Sequence, residues 1–143
     1  MNPRNIAAVL GGEKVLGRGI RKNAEVEECV RHGLPIGVLD AMLEGSVIEA
    51  AEVFGWIIPR RTLAHRQKKK QRLSLEESNR ISRVARIFAL ALDTFGNDEK
   101  ARRWLRKPLR QLGGRTPMQA LETELGAHQV ETILGRIGHG IAA

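Results

Sequence analysis

Residues 47–66 read VIEAAEVFGWIIPRRTLAHR, and this segment sets the organisation of the whole chain. Ser46, just before it, is followed three residues later by Glu49, which is the spacing of a capping box at the start of a helix. Gly55 then supplies a turn, and Pro59 is typical of the first turn of a following helix. Small alanines in the first helix and a glycine at the turn let two helices cross closely. The segment therefore predicts a helix-turn-helix whose second helix enters a DNA major groove.

The second helix of this motif opens a strongly basic segment. No acidic residue lies between Glu52 and Glu76, whereas arginines, lysines and a histidine are frequent there. Arginine near the start of such a helix can donate two hydrogen bonds to guanine, and lysine binds phosphate. A solvated helix face is the alternative interpretation, but the adjacent motif favours DNA, while Trp56 is predicted to be a core residue. The predicted DNA-binding residues are Arg60, Arg61, Thr62, His65, Arg66, Lys68, Lys69 and Lys70.

The segments before the motif also have apolar residues at helical spacing. No segment shows the alternation of apolar and polar residues typical of a strand over more than a few residues. Apolar residues recur at helical steps in 23–32, where Gly33 ends the pattern, and in 38–43, where Gly45 ends it. The glycine-rich residues 6–20 are expected to pack loosely.

The part of the chain after the basic segment is also predicted to be helical. Ser74 and Glu77 form a second capping box, and apolar residues recur at three- and four-residue steps up to Gly96. This is the longest predicted helix, and its apolar stripe must be buried. After it, a short helix is expected to be capped by Asn97 and to end before Pro108. A further helix is expected to run from Thr116-Pro117 to Gly126, and a last helix is expected to fray at Gly138 and Gly140.

Composition favours a small helical protein that binds a polyanion. The chain has 143 residues, 42% of them apolar but only 3% aromatic, and its net charge is +8. One cysteine, Cys29, excludes an internal disulfide, and the four histidines have no metal-ligand spacing. No apolar run approaches the roughly 20 residues of a membrane span, and the N-terminus does not read as a secretion signal. We therefore expect a cytoplasmic protein without a metal or other cofactor.

Catalytic residues are not expected. Asp93, Asp98 and Glu99 are better explained as residues of helix ends than as a pair of catalytic carboxylates. Cys29 and His32 are one helical turn apart but lack a third partner. The chain is therefore predicted not to be an enzyme.

Several motifs in combination resemble the Xre antitoxins of RES–Xre toxin–antitoxin systems, in the wider group that includes the MbcA and ParS antitoxins. They extend over nearly the whole chain. The motifs are Gly33-Leu34-Pro35, RTLAHR at 61–66, RLSLEES at 72–78, Trp104-Leu105, LGGRTP at 112–117 and LGRIGHG at 134–140.

This resemblance implies an all-α fold with two functions. Residues 1–72 would form an N-terminal helical region that contains an Xre/Cro-like helix-turn-helix, binds the system's own promoter and dimerises. Residues 73–143 would form a small helical domain that occludes the active site of a RES-domain toxin, an enzyme that degrades NAD. Antitoxin homodimers would sit in a larger complex with the toxin. The implied toxin-binding residues are Trp104, Gly113, Gly114, Arg115, Arg136, Ile137, Gly138, His139 and Gly140.

The C-terminal tail, residues 136–143, is further expected to insert into or across the entrance of the toxin's active site. Gly138 and Gly140 disfavour a continuing helix and allow close backbone approach. Ile137 and Ile141 offer apolar anchors. A frayed terminus without a role is the alternative.

Two other functions remain open from the sequence. One is a stand-alone helix-turn-helix transcription repressor whose C-terminal domain dimerises or senses a ligand. The other is an inhibitor that binds only protein and keeps a vestigial helix-turn-helix. The dependence of DNA affinity on salt separates them, because neutralising several phosphates makes the affinity fall steeply with salt.

Overall fold

The structure is a computed structural model that describes residues 2–140. Within this range the chain forms helices and turns and no strand, which confirms the all-α prediction. It divides into two compact units, Met1–Ala85 and Arg86–Ala143. The α-helices are α1 (Pro3–Val9), α2 (Gly12–Leu16), α3 (Asn23–His32), α4 (Gly37–Glu44), α5 (Ala50–Glu52), α6 (Arg60–Lys68), α7 (Leu75–Phe95), α8 (Asp98–Leu105), α9 (Pro117–Ala120) and α10 (Glu124–Gly138). A π-helical turn, Val53–Ile57, continues α5, and a 3-10 turn, Arg110–Leu112, precedes α9.

The N-terminal helices are packed, so the expectation of a loose segment was wrong. Ile6, Leu10 and Ile20 are buried in the first unit. The glycines permit this packing, because Gly11 has a φ of +108° and a Cβ there would press on the side chain of Val15. The tight reversal at Gly11 lets α1 and α2 fold back on each other.

The loop after α3 is tied to the start of α7 within the first unit. The backbone N–H of Leu34 donates to Oγ of Ser78 at 2.9 Å, and the N–H of Leu73 donates to the carbonyl of Leu34 at 2.9 Å. Gly33 has a φ of +95°, and a Cβ there would lie 2.6 Å from the carbonyl oxygen of Leu73. Only glycine therefore fits at the end of α3.

The predicted start of the first motif helix was wrong. Ser46 does not cap it, because Ser46 has a φ of +57° and the next two residues, Val47 and Ile48, are buried outside any helix. The helix begins at Ala50, and the backbone N–H of Glu49 donates to Oε1 of Glu52 at 2.8 Å. Burial of two adjacent β-branched side chains outweighs the local capping signal.

Several other boundaries agree with the sequence. Ser74 and Glu77 form the predicted capping box of α7, with the N–H of Ser74 donating to Glu77 at 2.7 Å and the N–H of Glu77 donating to Ser74 at 3.1 Å. Ile81, Val84 and Ala85 then face the core of the first unit and are fully buried.

The second unit packs the end of α7, α8, α9 and α10 around its own core. Asn97 caps α8 and Thr116 caps α9, as predicted. The helix from Pro117 does not continue to Gly126, because Thr123 caps a new helix, α10, with its Oγ1 3.0 Å from the N–H of Gly126. A Cβ at Gly126 would collide with the carbonyl of Ala120, so this glycine permits a close approach rather than ending a helix. Among residues 2–140 no helix is long and apolar enough to cross a membrane.

Candidate functional site

Helix α6 forms the outer element of the helix-turn-helix. The predicted turn at Gly55 was misplaced, because Gly55 lies inside the π-helical turn and the link between the helices is Ile58-Pro59. Ile57 and Ile58 are each 1% exposed and fix this link to the core of the first unit. The carbonyl of Pro59 accepts the N–H of Leu63 at 3.0 Å. None of the residues of α6 is fully buried, so the helix lies on the surface.

The predicted DNA-binding residues occupy two environments on α6. Arg60, Arg61 and His65 are exposed, whereas Thr62 and Arg66 are half-buried on the face toward the protein. The guanidinium of Arg60 lies over the ring of Phe54, 4.0 Å from its centroid. The start of α6 thus presents two arginines to solvent, and one of them is held against an aromatic ring.

The Arg66 side chain forms an ion pair within the protein. Its Nε and Nη2 donate to the two carboxylate oxygens of Glu77 at 2.7 Å and 3.1 Å. Burial raises the pKa of the Glu77 carboxyl, but the hydrogen bonds from Arg66 and from the backbone N–H of Ser74 outweigh it and lower the pKa below its ordinary value. The pair joins α6 to the first turn of α7 and fixes the orientation of α6.

The three lysines lie at the C-terminal end of α6. Lys68 is the last residue of the helix, Lys69 follows it, and Lys70 adopts a left-handed conformation with a φ of +53°. The N–H of Gln71 donates to the carbonyl of Arg66 at 2.9 Å and closes this turn. All three lysines are exposed, and none forms an ion pair with any residue from 2 to 140. They form a compact positive cluster.

Residues of the C-terminal motifs gather in a loop and in α10 of the second unit. Trp104 is half-buried, and its ring contacts that of Phe95 with centroids 5.6 Å apart, so it contributes to packing. Gly113 and Gly114 have φ of +68° and +86° and are exposed. The N–H of Leu109 donates to the carbonyl of Arg115 at 3.0 Å, which closes the loop, and Nε of the exposed Arg115 donates to the carbonyl of Leu112 at 3.1 Å.

The last helix ends at Gly138, where the sequence predicted that it would fray. Helix α10 continues to Gly138 and includes Arg136 and Ile137, and the N–H of His139 donates to the carbonyl of Gly135 at 3.1 Å. The expected apolar anchor Ile141 lies outside the described residues.

Two features of the site were not predicted from the sequence. The helical spacing of the first motif helix places Phe54 on its apolar face, but in the structure the ring is half-buried and lies against Arg60, in a π-helical turn that has no recognised sequence signal. A second basic segment was also overlooked: no acidic residue lies between Glu99 and Glu122, where seven lysines and arginines occur, and charge counting would have found it.

Comparisons with known proteins agree with this division into two units. Residues 25–86 match the model of the antitoxin Xre-like helix-turn-helix domain, and residues 90–140 match that of the antitoxin Xre/MbcA/ParS C-terminal toxin-binding domain. An antitoxin Xre of Yersinia enterocolitica is 34% identical over 88% of this chain and 86% of its own length. The chain belongs to the Xre antitoxin family. The membership of the Xre/MbcA/ParS antitoxin family, the helix-turn-helix and the C-terminal toxin-binding domain are thereby confirmed.

Two further antitoxins Xre are similar to this chain. An antitoxin Xre of Photorhabdus laumondii is 34% identical over 80% of this chain and 78% of its own length. One of Pseudomonas putida is 48% identical over 84 residues, which are 59% of this chain and 53% of that protein.

Proposed function

We propose that this antitoxin neutralises a RES-domain toxin that degrades NAD, by occluding the toxin's active site, and that it represses its own operon by binding the promoter. The observation that carries the proposal is the match of two different domain models to the two parts of the chain, a helix-turn-helix at 25–86 and a toxin-binding domain at 90–140. The antitoxin acts by binding and not by catalysis, and it works in the cytoplasm.

The DNA contact is assigned to the surface of α6. Arg60 and Arg61 stand where a recognition helix reaches base edges, with Thr62 and His65 following on the same helix. Lys68, Lys69 and Lys70 contact phosphates and supply affinity that does not depend on sequence. Arg66, which bonds Glu77, contributes by holding α6 in place. A homodimer formed through the N-terminal helices places two copies of α6 about one DNA turn apart.

The toxin contact is assigned to the loop and to the end of α10. The residues proposed for it are Trp104, Gly113, Gly114, Arg115, Arg136, Ile137, Gly138, His139 and Gly140. The exposed glycines let the toxin's backbone approach closely, and the arginines and His139 supply donors for a pocket that holds a phosphorylated nucleotide.

The direct test measures NAD consumption by a purified RES-domain protein encoded beside this gene. Full-length antitoxin is expected to form a complex and stop NAD loss. Antitoxin truncated after Gly135 is expected to bind the toxin without stopping it, since the last turn of α10 and the tail are gone. Full inhibition by the truncated protein would place the occlusion elsewhere on the domain. Promoter binding without any complex with the toxin would instead indicate a stand-alone repressor.

A further inference from the structure

The contact between Phe54 and Arg60 joins the π-helical turn to the start of α6. Cζ of Arg60 lies 4.0 Å from the centroid of the Phe54 ring. A planar guanidinium stacks on an aromatic face, whereas the ammonium of lysine is a point charge that does not reproduce this geometry. The ring therefore holds the Arg60 guanidinium at the start of α6.

The π-helical turn brings the ring to this position. The N–H of Ile58 donates to the carbonyl of Val53 at 2.9 Å, which is the wide hydrogen bond of a π-turn. Val53 and Ile57 are each 1% exposed, while Phe54 between them is only half-buried. Turns of this type are frequent at functional sites. Here the ring of Phe54, which the turn carries, lies against the start of α6.

Arg60 keeps its hydrogen-bonding edge available. Its side chain is exposed, and no acceptor within residues 2–140 takes a hydrogen bond from its guanidinium. Arg66, by contrast, already bonds both oxygens of Glu77. A stacked arginine at the first position of a recognition helix presents two parallel N–H donors, which is the arrangement that matches O6 and N7 of guanine.

We propose that Phe54 is a specificity-determining residue that fixes the Arg60 guanidinium for reading one guanine in the major groove. Phe54 acts through Arg60 as a positioning residue. An arginine that is already held in place loses less side-chain freedom on binding, so the correct base is bound more tightly. A contact with phosphate would raise affinity for every sequence alike. This inference rests on the proposed DNA-binding function.

The experiment compares full-length wild type with Arg60→Ala, Phe54→Leu, Phe54→Tyr and the double variant Arg60→Ala/Phe54→Leu. Duplexes are first selected by wild type from a randomised library. Affinities are then measured for the selected duplex, for single base-pair variants of it and for a random duplex, each over a range of salt. Thermal unfolding of each variant checks that the motif is folded.

We expect Arg60→Ala to lose discrimination at one G·C pair by about 5–150-fold. Phe54→Leu should weaken binding to the selected duplex about 2–5-fold, the equivalent of an exposed cation–π contact, and reduce discrimination at the same pair. Phe54→Tyr should retain both the affinity for the selected duplex and the discrimination at that base pair. Neither the Arg60 nor the Phe54 variants should change the slope of affinity against salt, because each phosphate of the site stays neutralised.

Three results would overturn the inference. The first is a Phe54→Leu protein that discriminates like wild type. The second is an Arg60→Ala protein whose salt slope falls by about one while its base preference is kept, since that places Arg60 on a phosphate. The third is an equal loss from Phe54→Leu in the Arg60→Ala background, because Phe54 would then act through the fold alone. A wild type that binds no DNA overturns the proposed function itself, which is a different outcome.

Discussion

The carboxylate of Glu77 joins the end of α6 to the first turn of α7. It accepts hydrogen bonds from the Arg66 guanidinium and from the backbone N–H of Ser74, and the residue is 6% exposed. A buried carboxylate that loses its charge leaves both donors poorly satisfied. The orientation of α6 therefore depends on the ionised form of one residue.

We predict that Glu77→Gln lowers the free energy of unfolding at neutral pH by about 1.5–3 kcal/mol, the usual range for hydrogen bonds to charged groups. Because the pKa of Glu77 is lowered in the folded protein, its contribution is full above the ordinary pKa and disappears as the pH falls through the folded value. Denaturant unfolding measured from neutral to acidic pH should show a steeper loss of stability in wild type than in the variant, which keeps only the other carboxyls with a lowered pKa, such as Glu25.

The matched control is Glu76→Gln, since the side chain of Glu76 is 84% exposed in its contact with Arg80. Little change in stability is expected from it. An equal loss in both variants would mean that general charge, and not the buried pair, stabilises the first unit.

Gly33 is the residue where backbone conformation is most constrained by a neighbour. Its φ of +95° disfavours any side chain, and its missing Cβ makes room for the carbonyl of Leu73. We predict that Gly33→Ala costs roughly 1–3 kcal/mol from the backbone strain alone. Gly55→Ala is the control, because nothing lies within 4 Å of its Cβ position and its φ is not positive. Thermal unfolding measures the melting temperature of each variant. Equal melting temperatures for Gly33→Ala and Gly55→Ala would contradict this explanation.

At the scale of elements, α6 and its lysine-rich end have separable contributions to DNA binding. Arg60 and Arg61 are at the start of the helix, and Lys68, Lys69 and Lys70 are at its end. Positions near the start of a recognition helix face base edges, whereas a cationic helix end fits phosphates on either side of the groove. Sequence preference should therefore depend on the start of α6, and salt dependence on its end.

We predict that replacing Lys68, Lys69 and Lys70 with alanine weakens binding to selected and random duplexes alike. The slope of log affinity against log salt should fall by up to about 0.9 for each phosphate that the variant no longer neutralises. Fluorescence anisotropy over a salt series measures both quantities. A triple variant at Lys14, Lys22 and Lys100 changes the net charge equally and should keep most of the slope. Unchanged binding in the first variant would make the cluster a solvated face.

At the scale of the whole molecule, α7 belongs to both parts of the chain. The compact units meet at Ala85 and Arg86, inside this helix, and the two family domains end and begin at residues 86 and 90. The boundary predicted at residues 72 and 73 lies just before this helix, where its capping box begins. A functional fragment needs the whole helix, because a cut inside α7 removes its cap and exposes new helix ends.

We predict that a fragment of residues 73–143 still protects cells from the toxin and no longer binds the promoter. The fragment keeps Ser74 and Glu77 as the cap of α7 and the entire core of the second unit. Survival of cells that express the toxin measures protection, and circular dichroism checks that the fragment is helical. A soluble, helical fragment that fails to protect would show that residues 1–72 are needed for neutralisation.

Local sequence signals were sufficient to predict the helical class, the two-part organisation and several helix ends. The caps at Ser74, Asn97 and Thr116 were predictable because capping and helical periodicity are local, involving residues three or four positions apart. The positive charge of α6 was equally predictable, because its lysines and arginines are read directly from the sequence.

Packing between elements determines where the chain departs from those local signals. Ser46 fails as a cap because Val47 and Ile48 are buried, and Gly126 lies inside α10 because the carbonyl of Ala120 passes close to it. The stacking of Arg60 on Phe54 depends on the π-helical turn, and the geometry of that turn depends on the burial of its two ends, Val53 and Ile57, in the core. These features arise from contacts between separate elements, whose free energy outweighs the weaker preferences of each local segment.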